Sequence, residues 1–455
     1  MASVLTGALA FLFSLLVIMQ RNAGAGIGIL IMSMLVWPEY LRLPLGVAQM
    51  SVPRIIALIL LVILVSKRKT ILIKFNIVDY LVIYGWAWIV ISTFLADANS
   101  AHLVQMVGRS LDTLLMYFIA RLSFLGDKDI SGLYWGLGLT ALFMCIVGLY
   151  EAVTWGSPYH QLLPPSERQD RIYGYEQIRL GMLRAQASTQ VSIYFGMAML
   201  LVVGLLWSLR GYFHGRPAYK SFLLASVLAI FSSLSSGPWL TLIVLIALNL
   251  FYVRLHLIRP AIFVFILTVI FFEIASNRHF YNIVDYLALD KHTAWYRTRL
   301  IEVAISNYSE WILIGVGSNW PHYWAELIDG RLFIDVVNNF LIIALYGGIP
   351  ALLMYLASHI FAIKYAARAF SESNDMKFRK MVFGLSATII ALDLSGLSVG
   401  LFGPALLLSH IILGCMVSAA TDWTDWTSTS DRPDLSKTDC ESSLLHGPDD
   451  RRSPV

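Results

Sequence analysis

The sequence predicts an all-α polytopic membrane protein, with about 12–13 transmembrane helices in a single helical membrane domain over residues 1–419. Three observations predict this fold. Of the 455 residues, 58% are hydrophobic and only 14% are charged, whereas soluble domains usually carry about 25% charged residues. The mean hydropathy is +0.69. Apolar runs close to the roughly 20 residues that cross a bilayer recur along the chain. We therefore expect the protein to lie in a lipid bilayer and not to bind nucleic acid.

The candidate spans follow one another with short connectors. They are placed at 3–20, 23–41, 52–66, 78–95, 104–125, 131–155, 188–209, 221–235, 237–256, 259–275, 336–363, 380–396 and 398–419. The first run, "VLTGALAFLFSLLVIM", has no basic segment before it and no small-residue cleavage site after it. It is therefore predicted to be a retained helix rather than a signal peptide.

Basic residues in the connectors predict the orientation. If residues 67–77 ("KRKTILIKFNI") face the cytoplasm, alternation places nearly all the Lys and Arg of the short connectors on that side, and only Arg42 and Arg54 on the other. This asymmetry is the positive-inside signal. The polar tail, 420–455, then falls in the cytoplasm, and its composition predicts disorder.

Two long loops face outward in this topology, at 156–187 and 276–335. They are the only sizeable material predicted outside the membrane, so chemistry other than transport is expected there. The histidines of these loops show no metal-ligand spacing, and the three cysteines lie far apart in the sequence. We predict neither a metal nor a cofactor.

Few ionisable residues interrupt the spans. Arg109, Asp112, Glu151 and Asp393 all fall in the outward halves of their helices, where each costs about 2.5–3.5 kcal/mol at full depth. Arg109 and Asp112 are three residues apart and could neutralise each other on one helix face. Their common depth instead favours a water-filled cavity that opens to the outer face.

The second loop is predicted to carry an amphipathic helix over 293–310. On a helical wheel Arg299 and Glu302 share the polar face and read as a solvated pair. Arg297 lies on the opposite, apolar stripe, where a guanidinium needs an anion or must reach water along its own stem. The stripe that contains Arg297 also contains Ile301, Ala304 and Tyr308.

Residues after this helix predict a turn and a membrane interface. Gly315 and Gly317 favour a tight turn. Trp311, Trp320 and Trp324 suit the headgroup zone of a bilayer, and sugar stacking is the alternative reading. Further along, Asn338 and Asn339 open an apolar run, so they either cap a helix or face something other than lipid.

Four segments in this order carry a family resemblance: "GMLRAQAS", "LSSGPWLTLI", "YRTRLIEVAISNYSEWILIGVGS" and "DVVNNFLIIALYGGIPALL". Over residues 78–365 the chain resembles the O-antigen ligase and polymerase superfamily of bacterial membrane glycosyltransferases. The resemblance implies a multi-pass enzyme of the bacterial inner membrane with its site on the periplasmic side. Such enzymes move a glycan from an undecaprenyl-pyrophosphate carrier to an acceptor hydroxyl, without a metal or a nucleotide sugar. It also implies polysaccharide acceptors and polysaccharide-assembly proteins as partners.

The resemblance implies roles for arginines of both loops. Arg184 and Arg297 look similar to the two arginines of the family, and Arg179 is a candidate third contact. The pyrophosphate leaving group gains negative charge as its glycosidic bond breaks, and the planar guanidinium of arginine binds phosphate through two parallel hydrogen bonds. We predict these arginines to be the pyrophosphate-binding residues.

Two positions depart from the family pattern. Ser236 stands where ligases carry an arginine, and Asn338 stands where they carry the histidine proposed as base. Because an amide cannot accept a proton at neutral pH, any base lies elsewhere. Asp335 is the first candidate and Glu302 the second. Asn338 and the family-matching Asn339 then orient substrate, or they only cap the helix.

The missing histidine favours polymerisation of O-antigen or exopolysaccharide repeat units over ligation to a lipid acceptor, which is the alternative. A non-catalytic scaffold and a transporter of lipid-linked glycans are further alternatives. A transporter needs basic residues along a path through the membrane, and Arg109 is the only Lys or Arg that lies more than four residues from both ends of a predicted span.

Overall fold

The computed structural model describes residues 2–20, 22–45, 48–67, 74–97, 99–123, 127–162, 178–275, 291–317, 320, 323–329 and 334–421. The predicted tail beyond Thr421 lies outside the described residues. So do the central part of the first loop, 163–177, and residues 276–290 of the second. The predictions for those segments therefore remain predictions.

Helices make up most of the described chain. They are α1 (Ala2–Met19), α2 (Ala23–Val36), α3 (Val52–Lys67), α4 (Ile77–Ala96), α5 (Ser100–Ser123), α6 (Asp127–Thr154), α7 (Ser192–Ser208), α8 (Arg210–Phe213), α9 (Pro217–Ser232), α10 (Ser236–Leu250), α11 (Ile258–Ala275), α12 (Lys291–Ser306), α13 (Tyr323–Asp329), α14 (Asn339–Glu372), α15 (Met376–Gly396) and α16 (Gly403–Thr421). Short 3-10 helices lie at His160–Leu162, Phe251–Leu257 and Tyr308–Glu310. Two small antiparallel hairpins pair β1 (Leu43–Leu45) with β2 (Ala48–Met50), and β3 (Ile178–Arg179) with β4 (Met182–Leu183).

A helix lies at each predicted span. Within the described residues, seven of the helical segments are long and apolar enough to cross a membrane: Ala2–Met19, Ile77–Ala96, Ser100–Ser123, Asp129–Thr154, Ser236–Leu257, Asn339–Glu372 and Gly403–Thr421. Four more apolar helices, α2, α3, α7 and α9, are shorter than 18 residues. The chain is therefore a helical, multi-pass membrane protein. The full count of 12–13 crossings remains a prediction.

Close backbone contact holds α2 against α6. Gly28 faces Gly132 and Gly136, Gly24 faces the backbone of Asp129, and a Cβ added at Gly136 would lie 2.4 Å from the Gly28 Cα. In lipid there is little hydrophobic gain from pairing helices, so small residues four apart stabilise pairs by letting backbones approach. This spacing fixes the α2–α6 pair.

The helix at the predicted span 336–363 is interrupted, which the sequence analysis did not predict. Helix α14 breaks at Gly347 and Gly348, and Gly348 has φ +69° and ψ −173°. Asn339 and Tyr355 are 16 residues apart, yet the Asn339 amide donates to the Tyr355 hydroxyl at 3.3 Å; a straight helix would separate them by about 24 Å. The helix is therefore a hairpin of two arms, 339–346 and 349–372.

The second loop forms hydrogen bonds with the backbone at this break. Ile349 N donates to Ile312 O at 2.9 Å, and Val316 N donates to Leu345 O at 2.7 Å. Gly315, with φ +71°, makes the predicted tight turn between those two bonds. Because no water is available at membrane depth, the polar groups released by the break need such partners.

A separate apolar cluster joins the second loop to the membrane helices. The loop contributes Tyr296, Leu300, Val303 and Trp324, which pack with residues of α4, α5 and the first arm of α14. Trp324 is fully buried, so its side chain packs against protein rather than facing lipid headgroups. The described part of the loop is thus an integral part of the fold and packs against these helices.

Candidate functional site

The foot of the first loop lies on the turn between α9 and α10. Arg184 donates to Ser235 Oγ at 2.8 Å, and Arg179 donates to Leu234 O at 3.3 Å. The backbone N–H of Ala185 donates to Ser232 O at 3.0 Å. The structure therefore brings both predicted arginines of this loop to one turn, the "LSSG" turn of the sequence motif.

That turn has an unusual backbone. Leu234 has φ +45°, a left-handed conformation that costs a branched side chain about 1–3 kcal/mol. Ser235 Oγ donates to Ser233 O at 3.0 Å and lies 3.5 Å from Ser192 Oγ, at the start of α7. Ser236, which replaces the arginine of ligases, is the first residue of α10. Arg184 and the N-terminal end of α7 therefore share the Ser235 hydroxyl as a neighbour.

Arg297 lies on the buried face of α12, as the wheel predicts, and only 9% of it is exposed. Arg299 and Glu302 form the predicted solvated pair, at 3.0 Å with both side chains 41% exposed. The predicted helix over 293–310 is too long at its end: the helix ends at Ser306, and a 3-10 segment begins at Tyr308. Tyr308 is therefore not on the helix face of Arg297, and it is 56% exposed.

Asp335 is tied to the helix that carries Arg297. Its backbone N–H donates to the hydroxyl of Tyr296, the neighbour of Arg297, at 2.9 Å. Asp335 is itself exposed. Glu302 is held in its exposed pair on the opposite face of α12, so of the two candidate bases Asp335 has the better position beside Arg297.

Asn338 and Asn339 hold the connector between α15 and α16. Asn338 caps α14 by accepting from Leu341 N at 3.0 Å, and its amide donates to Leu397 O at 3.0 Å. Asn339 accepts from Leu401 N at 3.2 Å and donates to Tyr355. The capping prediction is confirmed for Asn338. The orientation of substrate by these amides remains a prediction.

Asp393 belongs to a polar group inside the helical domain. The Tyr355 hydroxyl donates to its carboxylate at 3.2 Å. His359 Nδ1 lies 2.9 and 3.0 Å from the two carboxylate oxygens. Sequence reasoning singled out Asp393 but missed both partners, although Tyr355 and His359 are four residues apart on one helix face.

Arg109 is not paired with Asp112. Asp112 accepts two hydrogen bonds from Arg54, at 2.6 and 2.5 Å. Arg109 instead donates to the Tyr346 hydroxyl at 3.0 Å and to Leu401 O at 3.2 Å. Among the residues that the structure describes, no carboxylate lies within 4.0 Å of its guanidinium nitrogens.

Glu39, which sequence reasoning missed, lies in the connector after α2. A Cβ added at Gly403, the first residue of α16, would lie 3.0 Å from its carboxylate. Burial raises the pKa of the Glu39 carboxyl; the positive charges of Arg42 and Arg109 act in the opposite direction, and Asp112 adds to the rise. The predicted span 23–41 contains Glu39, whereas the helix ends at Val36; Pro38, directly before this glutamate, was the available signal for that earlier end.

The first turn of α7 lies close to several of the residues described above. The Tyr194 ring lies 5.4 Å from the Phe402 ring, and the Arg109 guanidinium lies 4.9 Å from the centre of that same Phe402 ring. Tyr194 is within electrostatic range of Asp335 and Arg109. Through Ser192 and Ser235, the same turn adjoins Arg184. The N-terminal end of α7 is thus the common neighbour of residues from both loops and from α5.

Two cavities meet at Arg109. The larger one, of about 200 Å³, is lined by His102, Gln105, Met106, Arg109, Trp320 and Tyr346. The smaller one, of about 40 Å³, also has Arg109 and Tyr346 in its wall and extends to Asn339 and Tyr355. Of the four predicted intramembrane charges, Arg109 lines these two cavities; that the space is water-filled and opens to the outer face remains a prediction. No family model matches this chain, and no curated protein matches it at a significant level.

Proposed function

We propose that the protein transfers a glycan from an undecaprenyl-pyrophosphate carrier to a glycan acceptor on the outer face of the bacterial inner membrane. The reaction that fits best is polymerisation of O-antigen or exopolysaccharide repeat units. The observation that supports this proposal is that Arg184 and Arg109, from two separate segments, both adjoin the first turn of α7. Asp335, whose backbone N–H donates to Tyr296 on the helix that carries Arg297, is within electrostatic range of the same turn. Cations gathered there suit a substrate whose lipid stays in the bilayer while its pyrophosphate lies at the surface.

The chemistry needs positive charge more than it needs a covalent intermediate. As the acceptor hydroxyl attacks the sugar, the bond to the pyrophosphate breaks and the leaving oxygens gain negative charge. Arginines fixed in advance stabilise that charge, and they do so more strongly where water is scarce. Arg184 is fixed by Ser235, and Arg297 by its burial in α12, with Arg179 as a third contact.

The acceptor hydroxyl must also lose a proton. We assign this step to Asp335. Its backbone N–H donates a hydrogen bond to Tyr296, the residue before Arg297, and its side chain is exposed. Asn338 and Asn339 act indirectly, by holding the α15–α16 connector whose Leu401 carbonyl accepts from Arg109.

The experiment is complementation of a deletion strain with Arg184→Ala, Arg297→Ala or Asp335→Asn. The matched control is Arg299→Ala, which removes the same charge two residues from Arg297, from an exposed pair on the opposite helix face. The readout is the length profile of surface and secreted polysaccharide, with the membrane level of each variant measured by blot.

Each outcome distinguishes a function. Collapse to single repeat units in the Arg184 and Arg297 variants, with long chains in the Arg299 variant, is the result expected of a polymerase. Free long chains that are no longer attached to lipid indicate a ligase. Lipid-linked units trapped on the cytoplasmic face indicate a transporter, and wild-type polymer in every variant indicates a scaffold.

A further inference from the structure

A polar stripe on α5 lines the larger cavity. His102, Gln105 and Arg109 follow one another at helical spacing and face the same space of about 200 Å³. One molecule of liquid water occupies about 30 Å³, so the cavity has room for a group much larger than a single water. The stripe begins at the outer end of the helix, where His102 pairs with Asp97 at 2.6 Å.

Among the described residues, no carboxylate forms a direct ion pair with Arg109 within 4.0 Å, although the buried Glu39 is within electrostatic range of it. A guanidinium has five N–H donors, and two hydrogen bonds from Arg109 are found, to the Tyr346 hydroxyl and to Leu401 O. Both acceptors are neutral, and a neutral donor would satisfy them equally well. A charge placed in a membrane helix is costly and usually marks a pathway or a ligand.

Aromatic side chains form the opposite wall. The rings of Trp320 and Tyr346 are 5.9 Å apart, and the Arg109 guanidinium lies 5.2 Å from the Tyr346 ring centre. The indole N–H of Trp320 is buried and has no hydrogen-bond partner among the described residues. The cavity therefore offers a cation, an aromatic face and an indole donor to one occupant.

We propose that this cavity is a substrate subsite that binds an oxyanion through Arg109, with Trp320 against the attached sugar. The proposal rests on the proposed function and deepens it. The oxyanion has two chemical sources: the carboxylate of an acidic sugar, such as a uronic acid, or a phosphate of the polyprenyl carrier. A carboxylate or phosphate would accept from the guanidinium in the two-bond geometry that arginine favours.

The test is equilibrium binding to the full-length protein in lipid nanodiscs, with three probes. They are undecaprenyl pyrophosphate, a short oligoglucuronate and a neutral glucose oligosaccharide of the same length. The variants are Arg109→Gln, Arg109→Lys and Trp320→Phe, and the control is Arg368→Gln, an exposed arginine at the other end of α14. Thermal unfolding of each variant shows whether the fold is intact.

The expected result is a loss of about 10- to 100-fold in affinity for one anionic probe in Arg109→Gln. We expect a smaller loss in Arg109→Lys, and no change for the neutral probe or the control. If oligoglucuronate is the probe affected, the source is the sugar; if undecaprenyl pyrophosphate is affected, it is the carrier. Trp320→Phe retains the charge of Arg109. If Arg109→Gln unfolds, the test is instead whether Trp320→Phe weakens the binding of one of the two anionic probes.

Unchanged affinity for both anionic probes in a folded Arg109→Gln protein would overturn the subsite. If Arg184→Ala and Arg297→Ala still weaken the binding of undecaprenyl pyrophosphate, the proposed function stands without it. Failure of the wild-type protein to bind either anionic probe would overturn both.

Discussion

Replacing Asp112 with asparagine should destabilise the membrane domain, because Asp112 is the partner of Arg54. The two side chains, 58 residues apart, share two parallel hydrogen bonds of 2.6 and 2.5 Å. A hydrogen bond to a charged group contributes about 1.5–3 kcal/mol. The side chains are 29% and 21% exposed, so water screens part of that. We expect Asp112→Asn to lower the free energy of unfolding by about 2 kcal/mol.

A double-mutant cycle separates this pair from the alternative within one helix. We expect a coupling energy of about 1–2 kcal/mol between Asp112→Asn and Arg54→Gln, and of under about 0.5 kcal/mol between Asp112→Asn and Arg109→Gln. The assay is reversible unfolding in bicelles. A stronger coupling to Arg109 than to Arg54 would refute the pairing. It would also remove the argument that Arg109 has no carboxylate as a direct partner.

Three further predictions concern packing, capping and pH. Gly136→Ala should cost about 1–3 kcal/mol of unfolding free energy, because its methyl group would meet the backbone of α2; thermal unfolding in detergent measures it. Asn338→Ala should cost at least about 1 kcal/mol through the lost helix cap, measured in the same way, with Asn338→Asp as the capping control. Burial raises the pKa of Glu39 above its ordinary value of 4.5, so the folded protein favours the protonated, neutral carboxyl. The resulting stabilisation is fully present below pH 4.5 and is lost as the pH rises through the raised pKa. The melting temperature of Glu39→Gln should therefore fall less than that of wild type between about pH 4.5 and 7.

Each of these has a contradicting result. Wild-type stability of Gly136→Ala would mean that α2 and α6 are not in backbone contact. Equal destabilisation by Asn338→Ala and Asn338→Asp would place the role of Asn338 in its bond to Leu397 rather than in the cap. Parallel pH profiles for wild type and Glu39→Gln would show that the burial of Glu39 does not control its ionisation.

Local patterns predicted the helices well and their breaks poorly. Long apolar runs in a chain with little charge leave few alternatives to helices, so a helix lies at each predicted span. The hairpin in α14 was missed because its two arms are both apolar, and hydropathy cannot distinguish a folded helix from a straight one. The Gly347–Gly348 dipeptide was the signal, since paired glycines favour a turn.

In the candidate site too, features that depend on local sequence were predicted, and contacts between distant segments were not. The wheel placed Arg297 on the buried face from spacing alone, and the cap at Asn338 follows from residue type. The pairing of Asp112 could not be predicted in this way, because a rule for neighbours on one helix contains no information about Arg54 on another. The partners of Asp393 come from α14, and only the tertiary fold brings them together.

The central claim is that the arginines of the two outer loops support transfer of a glycan from a lipid pyrophosphate. The most direct measurement is a transfer assay with purified protein in nanodiscs. The substrate is the undecaprenyl-pyrophosphate-linked repeat unit extracted from the deletion strain, and a chelator is present throughout. We predict that the wild-type protein and Arg299→Ala form chains longer than one unit and release undecaprenyl pyrophosphate, whereas Arg297→Ala does neither. Absence of transfer by the wild-type protein, or equal activity in Arg297→Ala, would contradict the claim.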